Sequence, residues 1–526
     1  MKRRTFLATG TATLAAPALG LAQQNQVLRF IPQTDLSILD PIFAQAYATR
    51  NHGYMVFDML YGQDSEYRTA PQMVEGHVTE QDGLLWRLML RDGLKWHDGE
   101  RVLARDCVAS IRRWGRRDPF GQALLAATEE LSAPDDKTIR FRLRRPFPLL
   151  PEALGKLPPL LPVMMPERLA ETDPFTQVTE MVGSGPFRFL PDERISGARV
   201  AYERFRDYVP RPSGTASGTA GPKVVHVDRV EWTVIPEPST AVGALRSGEQ
   251  DWLEFTANDM IPLLRGARGV KVAVQDQAGM MCFMRLNHLH PPFNNPAIRR
   301  ALLGAFNQAD YMMAVAGEDR AMWHAPVGFF TPGMPMASAK GMEAFPSTPD
   351  FDAVKRALGE AGYKGETVVL LGATDPAFIQ GLSEVAADML RRCGMNVDYQ
   401  LSDWGTLTAR RSSREPVGKG GWSCYMTAMT GIDLANPALH AALRGNGPDA
   451  MAGWPDLPQI EALVGEWFAA PGLEAQQHVA ERLQAQAFQD VPYVPAGQFL
   501  QAAAYRAGLE GILPGFPVFW NLRKAG

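Results

Sequence analysis

Leu84–Trp114 reads LLWRLMLRDGLKWHDGERVLARDCVASIRRW, and its residue chemistry divides it into a strand, two turns and a helix. Trp86, Leu88 and Leu90 occupy alternate positions, which predicts a strand with one covered face and one solvated face. Asp92-Gly93 then turns the chain, because glycine adopts the positive φ that other residues resist. The first third of the stretch is therefore a strand that ends at a tight turn.

The rest of the stretch contains a short extended run, a second turn and the start of a helix. Leu94–Trp96 is extended and His97-Asp98-Gly99 turns the chain again, which predicts a hairpin with a tight connection. His97 and Asp98 are residue types expected in such a turn, so we interpret them as structural rather than catalytic. Beyond Val102 the apolar residues follow helical spacing. They are Leu103, Cys107, Val108, Ile111 and Trp114.

Length and composition describe an ordinary globular protein of more than one domain. Of 526 residues, 46% are hydrophobic and 21% charged, and a chain this long needs two or three cores. The 53 basic and 57 acidic residues give a formal net charge of −4, with no dense basic stripe. Nucleic acid and anionic membranes are therefore not expected as partners.

Residues 1–22 have the features of an export signal. A charged start and a modestly apolar middle lead to small residues at Gly20-Leu21-Ala22, which predicts cleavage near Ala22. Arg3–Leu7 resembles the twin-arginine motif, and we favour that route over general secretion. Both routes stay open, because Lys2 and Ala8 do not complete the fuller motif. Either route places the mature chain in the periplasm.

The cysteines and histidines do not form a recognisable metal site. No C-x-x-C pair occurs and no cysteine lies at the cleavage site, so neither a zinc site nor a lipid anchor is expected. Buried free thiols are favoured over a disulfide, which an oxidising compartment would still allow. His288 and His290 lack a third ligand nearby. We expect no metal and no cofactor. The four cysteines are Cys107, Cys282, Cys393 and Cys424.

The second half of the chain predicts a layered α/β structure. Met281–Asn307, MCFMRLNHLHPPFNNPAIRRALLGAFN, combines a strand with a helix that Asn295 caps. A strand at 367–371, a helix at 378–393 and a strand at 395–401 follow, and this order favours a parallel pair.

Several of these blocks resemble one protein family. The opening stretch resembles the LRDGVKWHDGEPFTAEDVVFS signature of extracytoplasmic solute-binding proteins of family 5, which serve ABC importers for peptides, nickel and related solutes. Val182–Phe187 resembles the family's GTGPY segment, and Met281–Asn307 resembles its LNxxxPPFxDxxVRxAxxxAID block. The main departures are Val102, Leu103 and Arg105, where the family has Phe, Thr and Glu.

The resemblance implies a fold of the periplasmic-binding-protein type II class. Two α/β lobes would surround a hinge, and a third domain would be added to one of them. We expect the first lobe to combine 23–65, 183–278 and 490–526, the additional domain to span 66–182, and the second lobe to span 279–489. The mature protein is expected to be a monomer.

A ligand site is predicted in Lys419–Pro437, KGGWSCYMTAMTGIDLANP. The segment is aromatic and apolar with one acid, as a cleft that buries and orients a ligand requires. It resembles the family segment GWxxDxxDP, which implies that Trp422 lines the cleft and Asp433 meets a ligand amino group. The alternative is that Asp433 caps a helix before Leu434. Further ligand-binding candidates, each of which could equally be a core residue, are Tyr425, Trp454 and Tyr493.

These features favour a receptor over an enzyme. The receptor would close its lobes on a small solute, expected to be a peptide or a peptide-like compound with an amine, and deliver it to a membrane permease. H-E-x-x-H, G-x-S-x-G and phosphate-loop motifs are absent, which disfavours the alternative of an exported enzyme. A periplasmic chaperone is a third hypothesis. Peptides, opines, glycosides and metal chelates all remain open as ligands.

Overall fold

The structure, a computed structural model, describes residues 26–525. The export signal predicted at 1–22 lies outside the described residues. The strands are β1 (Val27–Ile31), β2 (Tyr61–Gln63), β3 (Thr69–Pro71), β4 (Val74–Glu80), β5 (Leu85–Leu90), β6 (Thr128–Ser132), β7 (Thr138–Leu143), β8 (Phe187–Phe189), β9 (Arg199–Arg204), β10 (Arg229–Thr233), β11 (Trp252–Leu253), β12 (Val270–Val274), β13 (Met280–Leu286), β14 (Trp323–His324), β15 (Thr367–Ala373), β16 (Asn396–Ser402), β17 (Cys424–Thr430), β18 (Tyr493–Phe499), β19 (Ala502–Arg506), β20 (Leu509–Glu510) and β21 (Arg523–Lys524).

Helices alternate with these strands over most of the described chain, as an α/β protein requires. They are α1 (Tyr47–Val56), α2 (Ala104–Gly115), α3 (Pro119–Ala127), α4 (Leu150–Leu154), α5 (Glu167–Ala170), α6 (Pro238–Ser247), α7 (Ile261–Arg265), α8 (Pro296–Leu303), α9 (Gln308–Ala316), α10 (Phe351–Glu360), α11 (Ala377–Arg392), α12 (Trp404–Arg410), α13 (Pro458–Ala469) and α14 (Gly472–Asp490).

The stretch Leu84–Trp114 forms the predicted strand, turns and helix, but its pairing differs from the simplest expectation. β5 pairs with β4 and β7 in an antiparallel sheet of order β4-β5-β7-β6. The short run at Leu94–Trp96 pairs instead with the chain beyond the second turn, where Trp96 N donates to Glu100 O at 2.8 Å. The hairpin is therefore confined to 94–102. His97 is buried and bonds the backbone of Gly183 and Gly185, which supports its structural interpretation.

The first large sheet has the order β12-β19-β11-β1-β10-β9-β8. β1 lies at its centre and pairs in parallel with β10 and β11, while the outer strands are antiparallel. Phe30 on β1 packs its ring against Trp232, Trp252 and Phe519 at centroid distances of 5.1 to 5.6 Å. These large aromatic rings supply much of the apolar area that holds the sheet against its cover.

The second large sheet has the order β14-β18-β13-β17-β15-β16. β15 and β16 pair in parallel across helix α11, which confirms the predicted strand, helix and strand. β13 is buried along its whole length between β17 and β18. Asn295 accepts a hydrogen bond from Ala297 N and caps α8, as the sequence predicts.

The segment 490–526 contributes strands to both large sheets. Residues 490–526 were expected in the first lobe, but β18 pairs with β13 from Met280 to Arg285 and so belongs to the second sheet. β19, only three residues further on, pairs with β11 and β12 of the first sheet. The chain thus changes sheets between Phe499 and Ala502, beyond the expected boundary at 490.

Two chain crossings join the large sheets side by side. The first runs from Val274 at the end of β12 to Met280 at the start of β13, and the second runs from Phe499 to Ala502. Gln498 Nε2 on β18 donates to Ala278 O at 2.6 Å and ties the two crossings together. Gly279 packs so close to Phe499 O that a side chain would overlap it. This pair of crossings has the form of a hinge.

The structure also describes the cysteines, the character of the helices and the grouping of metal-ligand residue types. All four cysteines are buried and unpaired. None of the helices between residues 26 and 525 has the length and apolar character needed to cross a membrane. Within the same range, His, Cys, Asp and Glu side chains do not gather into a group that could hold a metal ion.

Candidate functional site

The hinge positions a short turn that carries Asp433. β17 ends at Thr430, and Gly431–Leu434 forms one turn of 3₁₀ helix directly after it. Gly431 N donates to Gly279 O at 2.8 Å, and a methyl group at Gly431 would overlap the carbonyl oxygen of Ala278. Glycine is therefore needed for this close approach of two backbones. The contact fixes Asp433 beside the first crossing.

Asp433 takes part in a reciprocal cap of the turn. Thr430 N donates to Asp433 Oδ2 at 3.2 Å, and Asp433 N donates to Thr430 Oγ1 at 3.1 Å. This pattern satisfies two backbone donors at the start of the turn. The alternative interpretation of Asp433, as a cap, therefore accounts for the position of Oδ2 but not for that of Oδ1. Its position inside the turn, rather than before it, was not expected.

The second oxygen of Asp433 has no such role. Asp433 is only 7% exposed, and its Oδ1 is buried without a hydrogen-bond partner among the described residues. A buried acceptor that lacks a donor costs about 1–3 kcal/mol, and more when it is charged. One carboxylate oxygen of Asp433 is therefore unsatisfied within the described residues.

Burial raises the pKa of Asp433 to about 6, because the charged form loses its hydration. The hydrogen bonds from Thr430 and the positive charges of Lys156 and Arg50 act in the opposite direction. At neutral pH the carboxylate is thus ionised but poorly solvated. A cation placed at Oδ1 would stabilise the ionised form.

The two nearby cations have partners of their own. Lys156 Nζ donates to Asp118 Oδ2 at 2.8 Å and to Leu160 O at 2.7 Å. Arg50 Nε donates to Asn51 Oδ1 at 3.0 Å, and its guanidinium lies 3.7 Å from Glu254 Oε1. Neither cation donates to Asp433, so they shape the field around it without neutralising it directly.

A cavity of about 370 Å³ adjoins the turn. Ile432, Ala435 and Asn436, which flank Asp433 in sequence, form part of its wall, and Lys156 forms part of another. The volume falls within the range of small-ligand sites, and the mainly apolar lining suits such a site. The remaining apolar wall comes from Phe120, Pro148, Leu149, Leu157, Pro335, Met336, Leu439, Trp467 and Leu473.

A smaller cavity of about 110 Å³ continues from the first toward the hinge. The two cavities share Tyr67 and Ile432, and the smaller one also reaches Asp276. Burial, together with the charge of Asp276, raises the pKa of Tyr67 to about 12, so its hydroxyl keeps its proton. Tyr67 has a φ of 62°, which no sequence pattern predicts. Tyr67, Asp276 and Lys156 are site residues that the sequence analysis did not identify.

Trp422 is not part of this site. It precedes β17 whereas Asp433 follows it, and a seven-residue strand spans roughly 23 Å. Trp422 is fully buried, donates from Nε1 to Arg411 O at 3.1 Å, and packs its ring against Tyr425 and Trp454. The structure therefore does not bring Trp422 beside Asp433, with which it was expected to line one cleft. Extended backbone carries the two residues to opposite ends of the sheet.

The other aromatic candidates lie with Trp422, around a buried arginine. Arg285 is fully buried and its guanidinium donates to the carbonyl oxygens of Ala442, Met451, Ala452 and Pro492. Tyr425 and Tyr493 flank it on the neighbouring strands β17 and β18. Tyr493 also bonds His440 and the carbonyl of Phe329. The ring of Trp454 lies 5.0 Å from the Arg414 guanidinium. All three aromatic residues are buried in this region, and the hydroxyl of Tyr425 has no hydrogen-bond partner among the described residues.

Comparison with known proteins assigns this chain to a family. The family model described as bacterial extracellular solute-binding proteins, family 5 middle, matches residues 68–447. The chain belongs to this family of extracellular solute-binding proteins. A relative from Sinorhizobium fredii, described as probable peptide ABC transporter periplasmic-binding protein y4tO, is 36% identical over 99% of this chain and 98% of its own length. This family 5 chain is therefore a solute-binding protein that acts outside the cytoplasm.

Solved structures of the same fold hold different ligands. The dipeptide-binding protein of Pseudoalteromonas sp. SM9913, in complex with Met-Leu, has a TM-score of 0.75 at 16% identity and covers 95% of this chain and 100% of its own. The PBP AgaA of A. tumefaciens R10, in complex with agropinic acid, has a TM-score of 0.75 at 20% identity and covers 95% and 98%. These neighbours confirm the type II periplasmic-binding-protein fold of this family 5 member. They do not select its ligand.

Proposed function

We propose that the protein captures a peptide or a peptide-like compound with a free amine in the periplasm and delivers it to the permease of an ABC importer. The observation that carries this proposal is the buried, unpartnered Oδ1 of Asp433 beside a cavity of about 370 Å³. The naming of the 36% identical relative as a peptide-binding transporter component supports the same ligand class.

The ligand ammonium would donate a charge-assisted hydrogen bond to Asp433 Oδ1. Such bonds are roughly twice as strong as neutral ones, and this one would also remove the cost of the unpaired oxygen. The apolar wall would receive the rest of the ligand without demanding many specific polar contacts. The site should therefore select for a free amine and tolerate variation in the rest of the ligand.

Lobe closure about the two crossings would bury the ligand. The cavity takes walls from both sides of the hinge, because Tyr67 and Lys156 lie in the segment 66–182 while Ile432 and Leu439 lie in the segment 279–489. A ligand that contacts both walls favours the closed arrangement by its differential affinity for the two states. We propose the division into two lobes and an additional domain on this basis, with the boundary of the last segment near 500.

Export as a soluble monomer through the signal at residues 1–22 completes the proposal. Replacing both Arg3 and Arg4 by Lys should block export if the twin-arginine route operates. Measurement of the periplasmic yield of this variant decides between the routes, since unchanged yield points to general secretion.

Ligand-linked stability tests the proposed function directly. A ligand that binds only the folded state at 100 times its dissociation constant adds about 2.7 kcal/mol. Protein stripped by unfolding and refolding should melt at a higher temperature with dipeptides, and the shift should grow with the logarithm of concentration. N-acetylated versions of the same dipeptides serve as matched controls and should give a much smaller shift. A flat response across all free dipeptides would reject the peptide proposal.

A further inference from the structure

The cavity has a second set of acceptors on the wall that belongs to the 66–182 segment. Glu152 lies on α4 and Thr69 on β3, and both side chains line the cavity. Glu152 Oε2 and Thr69 Oγ1 are buried and have no hydrogen-bond partner among residues 26–525. Two residues that line the cavity thus each carry one buried oxygen without a hydrogen-bond partner.

Nothing in the described chain neutralises Glu152. It takes part in no ion pair between residues 26 and 525, and burial raises the pKa of its carboxyl. The two cations in the cavity wall have acidic partners elsewhere, since Lys156 pairs with Asp118 and Arg68 pairs with Asp64 and Glu66. Glu152, in the wall of the cavity, and Asp433, beside it, therefore both carry a carboxylate that forms no ion pair among residues 26–525.

We propose that Glu152 and Thr69 form a second, cation-accepting subsite, and that the preferred ligand carries an apolar stem with a cationic group at each end. An ammonium offers three donors and a guanidinium five, which suits a carboxylate and a hydroxyl presented together. Phe120, Leu149 and Leu157 supply apolar surface along which a methylene stem packs. Peptides with lysine or arginine and simple diamines share this chemistry. The proposal rests on the proposed function, because the first cationic group is the amine at Asp433.

The test compares ligands that differ only in the second cation. Ala-Lys and Ala-norleucine have the same stem, and only Ala-Lys ends in an ammonium. Titration calorimetry on the stripped protein should give Ala-Lys at least a tenfold advantage in affinity. Glu152→Gln should reduce this advantage to about twofold, and Thr69→Val should reduce it by a smaller factor. Melting of each ligand-free variant checks that it folds.

A matched control lies in the same cavity. Glu66 also lines it, but its carboxylate is exposed and paired with Arg68 at 2.9 Å. Glu66→Gln should therefore leave the Ala-Lys advantage unchanged. Equal affinities of Ala-Lys and Ala-norleucine for the unaltered protein, or an advantage that survives Glu152→Gln, would overturn the second subsite.

Failure of the two proposals can be told apart. If neutral and basic dipeptides bind equally well, the peptide function stands and the second subsite is wrong. If neither dipeptide binds, the peptide function is wrong, and 1,5-diaminopentane against pentylamine then tests the subsite alone. A diamine advantage that depends on Glu152 would support the subsite, and equal affinities of the diamine and the monoamine would reject it.

Discussion

At the scale of single residues, we propose that the carboxylate of Asp433 combines a structural use with ligand binding. One oxygen caps the turn through Thr430 and the other has no partner. From the sequence alone these two uses are alternatives, because a motif assigns a residue a single role. The two oxygens of a carboxylate can serve two roles at once, and only the geometry of the turn separates them.

The raised pKa of Asp433 predicts a specific pH dependence of stability without ligand. The ordinary pKa of 3.8 rises to about 6 on folding, so the folded protein binds the proton more tightly between these values. Stability therefore falls as pH rises from about 4 to about 6, by up to roughly 3 kcal/mol for this group. Asp433→Asn removes the titration. From pH 4 to pH 7, the free energy of unfolding of Asp433→Asn, measured with urea, should rise relative to that of the unaltered protein. The same difference between the two proteins at both pH values would contradict the raised pKa.

Replacement of Lys156 should have a large effect on the free energy of unfolding, because its ion pair with Asp118 is buried. Both side chains are at most 2% exposed, and removing one partner of such a pair strands the other charge at a cost of about 3–5 kcal/mol. Lys156→Met should therefore destabilise the protein strongly. Lys95→Met is the control, since Lys95 and Asp207 form an exposed pair that contributes roughly 0–1 kcal/mol. Equal losses in urea unfolding would show that the Lys156 pair is not buried in solution.

At the scale of elements, the sequence predicted structure where local pattern and packing agree. The strand of Trp86, the helix after Val102, and the β15, α11 and β16 unit all follow from periodicity and turn residues. The structure does not bring Trp422 beside Asp433, because short spacing in sequence does not give short distance in space. Ten residues between Trp422 and Asp433 mostly form strand β17, which separates its ends instead of bringing them together.

The remaining site residues depend on contacts between distant elements. Tyr67, Lys156 and Glu152 line the same cavity as Ile432 and Asn436, which lie far along the chain, and no local pattern encodes that approach. The change of sheet between Phe499 and Ala502 also depends on distant elements, because β18 pairs with β13 and β19 pairs with β12. Such long-range pairing cannot be read from one segment alone.

The contact of Gly431 with the first crossing predicts a coupling between the turn and ligand affinity. Gly431→Ala forces the turn away from the carbonyl of Ala278 and should cost about 1–3 kcal/mol of stability. The same displacement moves Asp433, so dipeptide affinity should fall at least tenfold. Gly418→Ala is the control in the preceding loop, where a side chain meets no atom within 4 Å. Full affinity in a destabilised Gly431→Ala protein would argue that the turn does not position Asp433.

At the scale of the whole molecule, we propose that two chain crossings, one turn and one cavity act as a single functional unit. The crossings join the large sheets, the Gly431 turn rests on the first crossing, and the cavity extends from that turn to the wall of Glu152. A ligand that fills the cavity therefore contacts elements from both sides of the hinge. Binding energy gained there is available to hold the lobes together.

The most direct test of this account is a calorimetric cycle at pH 7 with Asp433→Asn and one dipeptide, free and N-acetylated. Asn keeps the size of Asp and caps about as well, so the turn should stay intact. The account predicts that the free dipeptide binds the unaltered protein at least tenfold tighter than the acetylated one, and that Asp433→Asn removes most of this difference. An undiminished preference for the free amine in Asp433→Asn would contradict the role of Asp433 as the ligand anchor.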